Sequence, residues 1–580
     1  MDLTSPDFAI EALRNTIFLL FCVFSLHLLL VGPLRGTVRI LHANETAHIL
    51  TFDHSKNKPV KVHLISYLRG KCPSLFSRKA RFRPTPLLFN GHLQTAAAGI
   101  ISKLPYRKPK YNRELLDMPD GGVVAVDWAF PKAVSPTSLS YPIVILFHGL
   151  AGGSNETYIC EQTFTLLESN YVVAALNYRG SNGLPLKTPQ LYAGSYTADV
   201  RLIIKHIQKT HSQAPLIGVG YSLGANILLK YIGEEGNQCP LLSAVVVANP
   251  FDFNLGINFL HSTFLGRLYS RIMTHELLSI FSQHTHVFPS SSSGTNTVAE
   301  GGAPISPTKV MSSKYLTDFD EHLTRRVFGY RTVNEFYRMG GSAQYLPDVC
   351  IPTLLLSALD DPVALAKAIP IADVRENPFV ILATTDLGGH LGWFESLFGF
   401  GKGYKRWFTR PVLEYITAIL EAHESLPVHL RSSFIEGHLP KANHVHYKGK
   451  HSVVFPLHHS STGRSPSPTK LHVDAATSTN RPPSPIRAPP SPTAVVVPAK
   501  RKSALNTTEK PTRSSFLYRS LLFVYGLTAS SNVEGRIARR FILLVLVVGA
   551  YLLPQYRKQW NVIAGQVLGP SGRRLIQSDK

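Results

Sequence analysis

The residue best placed to do chemistry is Ser222, in Gly220-Tyr221-Ser222-Leu223-Gly224. This G-x-S-x-G follows the apolar run LIGVG and opens the helical pattern ANILLKYI. A serine between strand and helix sits on a sharp turn, and small residues two before and two after it let that turn close against its neighbours. The turn pushes the hydroxyl out over the sheet edge, beside the free N–H groups of a helix N-terminus. A serine hydroxyl is a weak nucleophile at neutral pH unless a base takes its proton and a carboxylate orients that base. Two later apolar runs supply the residue types. TLLLSAL ends in Asp360-Asp361-Pro362-Val363, and FVILATT is followed by Gly388-Gly389-His390-Leu391-Gly392-Trp393. Both are strand C-terminal ends, where an open α/β sheet gathers its ligand-binding groups. His390 is the candidate base, and either Asp360 or Asp361 is the candidate acid. An oxyanion needs two more donors. The strand pattern Ile143–Phe147 runs into His148-Gly149-Leu150-Ala151-Gly152-Gly153-Ser154, so the backbone N–H groups of Leu150 and Leu223 are the expected pair. His148 is read as shaping this turn and not as a second base. No cofactor or metal is needed for such a reaction.

These residues require a scaffold of strands. Candidate strands are Ile143–Phe147, Val172–Leu176, Leu216–Gly220, Ala244–Ala248, Thr353–Ser357 and Val380–Ala383. Amphipathic stretches lie between them, such as Thr197–Lys209 with Val200, Ile203, Ile204 and Ile207 at helical spacing. Alternation of this kind predicts an α/β fold, a doubly wound, mostly parallel sheet, over residues 80–425. The gap from Pro250 to Thr353 is too long for a simple crossover, so an insertion at about 251–350 is expected, of the kind that serves as a lid. It carries a low-complexity Ser/Gly/Pro loop at 289–308. Phe251, Phe253, Phe259 and Phe264 in this insertion, with Trp393, Phe394, Phe398 and Phe400 after the base, are candidates to line an acyl-binding groove.

The remainder of the 580 residues carries other signals. Ile17 to Val31 is apolar and uncharged, and with its flanks (15–34) it predicts a membrane anchor. Three acidic residues precede it, unlike the start of a cleaved signal peptide, and Arg35 and Arg39 after it place the following domain on the cytosolic side. Residues 426–515 are rich in Ser, Pro, His and basic residues and read as a disordered tail. Residues 516–580 are basic, with a possible second membrane segment at 541–553. Residues 426–580 hold 22 Lys and Arg against 5 Asp and Glu, out of 60 and 37 in the chain. The basic excess therefore belongs largely to the tail, and with no binding module there it argues for lipid headgroups over nucleic acid. Five widely spaced cysteines support neither a disulfide scaffold nor a zinc site.

Taken together, these motifs resemble the α/β-hydrolase superfamily, and within it the membrane-anchored AB hydrolase-4 family. The narrower resemblance rests on Arg83-Pro84-Thr85-Pro86, on Phe89-Asn90-Gly91-His92-Leu93-Gln94-Thr95, on HGLAGGSNETY from His148, on GYSLGAN from Gly220, and on DDPV followed by GGHLGWFE. It covers about 80–425. It implies carboxylester hydrolysis of lipid-like substrates with Ser222, Asp361 and His390 as the triad. The run Ala-Leu-Asp-Asp-Pro-Val resembles the hydrolase turn in which the acid directly precedes Pro-Val, which favours Asp361 and leaves Asp360 as the alternate. The expected function is a membrane-anchored serine esterase or lipase acting through an acyl-enzyme. Alternatives are an acyltransferase, in which an alcohol replaces water, and a non-catalytic lipid-binding scaffold on the same fold.

Overall fold

The computed structural model describes residues 36–436, apart from 79, 86–87, 104, 133–140, 289–304 and 396–405. All of these lie in the first of two units into which the chain divides, Met1–Tyr447. The expected anchor at 15–34, most of the 289–308 loop, the tail from 437 and the apolar segment 541–553 lie outside the described residues. Among the described residues no helix is long and apolar enough to cross a membrane.

The strands are β1 (Val38–His42), β2 (His48–Asp53), β3 (Lys58–His63), β4 (Asn112–Asp117), β5 (Val123–Ala129), β6 (Ile143–Phe147), β7 (Val172–Asn177), β8 (Leu216–Tyr221), β9 (Ser243–Val247), β10 (Thr353–Ala358), β11 (Val380–Thr385) and β12 (Ile435–Glu436). Nine of them form one sheet in the order β1-β11-β10-β9-β8-β6-β7-β5-β4. The six strands read from the sequence are its parallel centre. They read as continuous apolar runs because both faces are covered. Val144, Val219, Val245 and Leu354 face one apolar layer with Val412, Ile416 and Ile419. Ile145, Val246, Leu355 and Leu382 face the other, with Ile203, Ile204 and Ile207. The helices used below are α1 (Gly91–Ile101), α2 (Thr157–Glu168), α3 (Ala198–Thr210), α4 (Leu223–Glu235), α5 (Phe253–Ser262), α6 (Phe264–Gln283), α7 (Val333–Gly340) and α8 (Thr409–Ser425). Helices α2, α3 and α4 are the crossovers from β6 to β7, β7 to β8 and β8 to β9.

The limits 80–425 need correction at both ends. Strand β1 pairs antiparallel with β11, completing the sheet from residues ahead of 80. Beyond 425, Leu426 and Phe434 are buried, and β12 pairs with β2 in a small sheet of order β12-β2-β3. Leu426 and Phe434 hold residues 426–436 onto the domain inside a polar composition, so this stretch belongs to the fold and not to the expected tail. The antiparallel hairpin β4–β5 adds two strands to the six expected from apolar runs. Its turn, Met118-Pro119-Asp120-Gly121-Gly122, with Gly121 at φ +80, carried a usable Asp-Gly hairpin signal. The insertion between β9 and β10 is helical where described, comprising α5, α6, α7 and shorter pieces that include a π-helical turn at Asp320–Thr324.

Candidate active site

Strand β8 delivers Ser222 to the C-terminal edge of the sheet. Its backbone has φ 53 and ψ −120, outside the relaxed regions for an L-residue with a side chain, and α4 starts at the next residue. Such strain persists only where the surroundings enforce it. Here the Ser222 N–H donates to the Val247 carbonyl at 2.9 Å, and the two flanking glycines leave no room for relaxation. A Cβ on Gly220 would lie 2.6 Å from the Ala225 Cα, and one on Gly224 would collide with the Phe147 and His148 carbonyls.

Ser222 Oγ lies 2.7 Å from His390 Nε2, and His390 Nδ1 lies 2.9 Å from Asp361 Oδ2. Three residues from three strand ends thus form one hydrogen-bonded chain. Asp361 is buried, and its other oxygen accepts from the N–H groups of Val363 and Ala364 at 2.8 Å each. Three donors fix this carboxyl in one orientation. Asp360 points elsewhere: its Oδ1 accepts the Gly389 N–H at 2.9 Å, and burial pushes its carboxyl up to about 6. Of the two aspartates, the structure brings Asp361 to the imidazole and gives Asp360 to the backbone of the loop that carries it.

The His390 loop is held from several sides. Gly389, Leu391 and Trp393 all have positive φ. The His390 N–H donates to Thr95 Oγ1 at 2.8 Å, and Phe394 N–H donates to Gln94 Oε1 at 3.0 Å. Both acceptors lie on α1, whose N-terminus is capped by the Asn90 side chain. From the far side the buried Arg406 donates Nε–H to the Leu391 carbonyl at 3.0 Å and pairs with Glu161 at 3.1 Å. Gln94, Thr95 and Arg406 were not read as site residues. The segment Asn90-Gly91-His92-Leu93-Gln94-Thr95 carries a family resemblance but no local sign of these roles, and Arg406 carries no local signal.

Leu150 and Leu223, the expected oxyanion donors, both line a cavity with Ser222. Among the described residues no acceptor is found for either amide, whereas the neighbouring amides of Gly149 and Ala151 donate to the Tyr158 and Tyr192 hydroxyls. Leu223 opens α4, where helical geometry leaves N–H groups without intrahelical partners. His148 is fully buried beside Tyr178 and Tyr192, with Nδ1 2.7 Å from the Gly149 carbonyl, and burial pushes it down to about 4. It is a neutral packing residue of the turn.

The cavity measures about 140 Å³ and is mostly apolar. It runs from Ser222 under the insertion, past Leu191, Ile257, Leu260, Leu277, Phe319 and Phe336. Of the aromatic residues expected in an acyl groove, Phe253 lines it. The others do not. Phe251 is packed in the sheet core, Phe259 and Phe264 are exposed, and Trp393 and Phe394 are buried behind the His390 loop. Phe398 and Phe400 lie outside the described residues. Aromatic type alone does not tell a groove wall from a core or a surface position.

The family model described as "Serine aminopeptidase, S33" matches residues 140–371, which include Ser222 and Asp361. Among curated proteins, the chain is 32% identical over 391 residues to "Embryogenesis-associated protein EMB8" of Picea glauca, covering 65% of this chain and 80% of that one. It is 29% identical to "Monoacylglycerol lipase" of Saccharomyces cerevisiae, covering 57% and 79%. It is 28% identical to human "Phospholipase ABHD3", covering 62% and 83%.

Proposed function

The chain belongs to the AB hydrolase-4 family of serine hydrolases, and from that premise we propose that it cleaves carboxylic esters of lipids through an acyl-enzyme on Ser222. The observation that carries this reading is the Ser222–His390–Asp361 hydrogen-bonded chain at one end of an apolar cavity. Ser222 Oγ attacks the ester carbonyl while His390 Nε2 takes its proton. Asp361 holds the Nδ1–H tautomer and stabilises the imidazolium that forms. The carbonyl oxygen, now negative, accepts from the Leu150 and Leu223 N–H groups, each of the kind whose loss lowers rate by about 10²–10³. The imidazolium returns its proton to the leaving alcohol. Water then enters, His390 activates it, and the acid is released with Ser222 regenerated.

The substrate class rests on two supports. The cavity lining is predominantly Leu, Ile, Phe, Val and Met, which suits an acyl chain. Two relatives carry the names monoacylglycerol lipase and phospholipase. The helical insertion supplies much of the cavity wall, which supports its reading as a lid. The apolar run 17–31 and the basic C-terminal residues support anchorage beside a bilayer, where lipid esters are concentrated. The test is labelling of the full chain with a fluorophosphonate, followed by mass spectrometry of the modified peptide. Wild type is expected to carry the label on Ser222 and Ser222→Ala to carry none. Persistent labelling of the alanine variant would remove the nucleophile assignment.

A further inference from the structure

The apolar cavity contains one polar cluster that the ester chemistry does not use. Asp320 lies in its wall, in the insertion, together with Thr324 and Tyr337. All three are at least nine-tenths buried, at 7%, 9% and 3% exposure. Thr324 Oγ1 donates to Asp320 Oδ1 at 2.7 Å, and the Tyr337 hydroxyl donates to Asp320 Oδ2 at 2.9 Å. Burial pushes the carboxyl up to about 6, so near neutral pH it is poised to ionise but poorly solvated. The backbone here is a π-helical turn, Asp320–Thr324. Such turns place one extra residue per turn and re-aim side chains, and they recur at functional sites.

An aliphatic chain gains nothing from this cluster. A carboxylate offers about four acceptor positions, and each of its oxygens here has one donor from protein. Filling the cavity with hydrocarbon alone would seal the remaining lone pairs away from water, which is unfavourable by the general rule for buried polar groups. A neutral hydroxyl delivered by the substrate would satisfy one of them with little desolvation of its own. A tether between the π turn and α7 would require only the Thr324 and Tyr337 bonds, and would not require the carboxyl to line the cavity.

We infer that Asp320, held by Thr324 and Tyr337, is a substrate-hydroxyl subsite that selects lipid esters carrying a free O–H group. This deepens the ester-hydrolase reading and rests on it. Two sources share this chemistry: the glycerol of a partial glyceride and a hydroxylated acyl chain.

The full chain in detergent micelles is assayed on matched ester pairs. One arm compares a monoacylglycerol with the ethyl ester of the same acid; the other compares a hydroxy-fatty-acid ethyl ester with its unsubstituted counterpart. In at least one arm wild type is expected to favour the hydroxylated ester in kcat/KM by about tenfold or more, as befits a hydrogen bond to an ionisable acceptor. Asp320→Leu brings that ratio toward one. Should Asp320→Leu fail to fold, Tyr337→Phe removes one protein donor, leaves the carboxyl, and keeps the ratio at or above the wild-type value. The arm that responds identifies the source of the hydroxyl. The inference is overturned if wild type shows no preference in either arm, if folded Asp320→Leu retains it, or if Tyr337→Phe abolishes it. Fluorophosphonate labelling of Ser222 in wild type is read in parallel. A labelled, ester-cleaving enzyme without hydroxyl preference refutes this subsite alone, whereas an unlabelled protein that cleaves neither ester refutes the hydrolase reading.

Discussion

Asparagine substitutions at the two adjacent aspartates separate their jobs, because the amide keeps the shape and loses the charge. In Asp361→Asn the amide oxygen can still accept from the Val363 and Ala364 N–H groups, which then turns the NH₂ toward His390 Nδ1. The imidazole must accept there, so its proton moves to Nε2, and it can no longer take the proton of Ser222. A tautomer error of this kind lowers kcat by about 10⁴. In Asp360→Asn the amide oxygen still accepts the Gly389 N–H, so the His390 loop stays in place and kcat is expected within about tenfold of wild type. Stability behaves in the opposite sense. Burial raises the Asp360 carboxyl from 3.8 to about 6, so the folded protein holds this proton more tightly than the unfolded chain. The penalty is therefore absent below about pH 4, grows as pH rises to about 6, and is constant above. The gap corresponds to about 3 kcal/mol. Asp360→Asn is accordingly expected to be more stable than wild type at pH 7.5, by up to about 3 kcal/mol, with the difference vanishing near pH 4. Urea unfolding at the two pH values and steady-state turnover of a p-nitrophenyl ester measure both effects. Equal loss of kcat in the two variants, or Asp361→Asn within tenfold of wild type, would refute the assignment of the acid.

Two further outcomes follow from the supports of the His390 loop. Thr95→Val removes the acceptor of the His390 N–H, so kcat/KM is expected to fall about tenfold or more and the pH profile to shift, with Thr95→Ser restoring both; an unchanged profile in the valine variant would show that Thr95 does not position the base. Arg406→Met removes the guanidinium 3.1 Å from the buried Glu161, which is expected to destabilise the fold by about 3–5 kcal/mol in urea titration. Most of that loss should be recovered in the double variant with Glu161→Met, and a fully additive double variant would contradict the pairing.

What was readable in the sequence is what short-range physics writes there. The parallel centre of the sheet was legible because Val144, Val219, Val245 and Leu354 on one face, and their alternating neighbours on the other, must all be apolar when both faces are covered. The Ser222 turn was legible because the strained backbone excludes side chains at Gly220 and Gly224. The rim of the sheet was harder. Strand β4 exposes every other residue and β12 is two residues long, so neither leaves a run that stands out from a loop. Their membership follows from pairing partners, β5 at one edge and Ile49 in the small sheet.

The site itself divides along the same line. Ser222, Asp361 and His390 follow or end apolar strands, and a strand end is a place that periodicity can find. The groups that hold His390 in position have no such marker. Thr95 reaches it from 295 residues away, and Arg406 reaches the Leu391 carbonyl from 15 residues further along the chain. Thr95 looks like any polar residue within a short apolar helix, and its chemistry appears only when the turn Gly388-Gly389-His390 presents an unsatisfied N–H to it. Likewise the cavity wall was misassigned at Phe259 and Phe264, because aromatic type encodes the tendency to be buried but not the surface against which burial occurs. A reacting group is therefore legible where its backbone setting is local, while the precision of its placement is encoded in contacts between distant segments, and these become visible only in three dimensions.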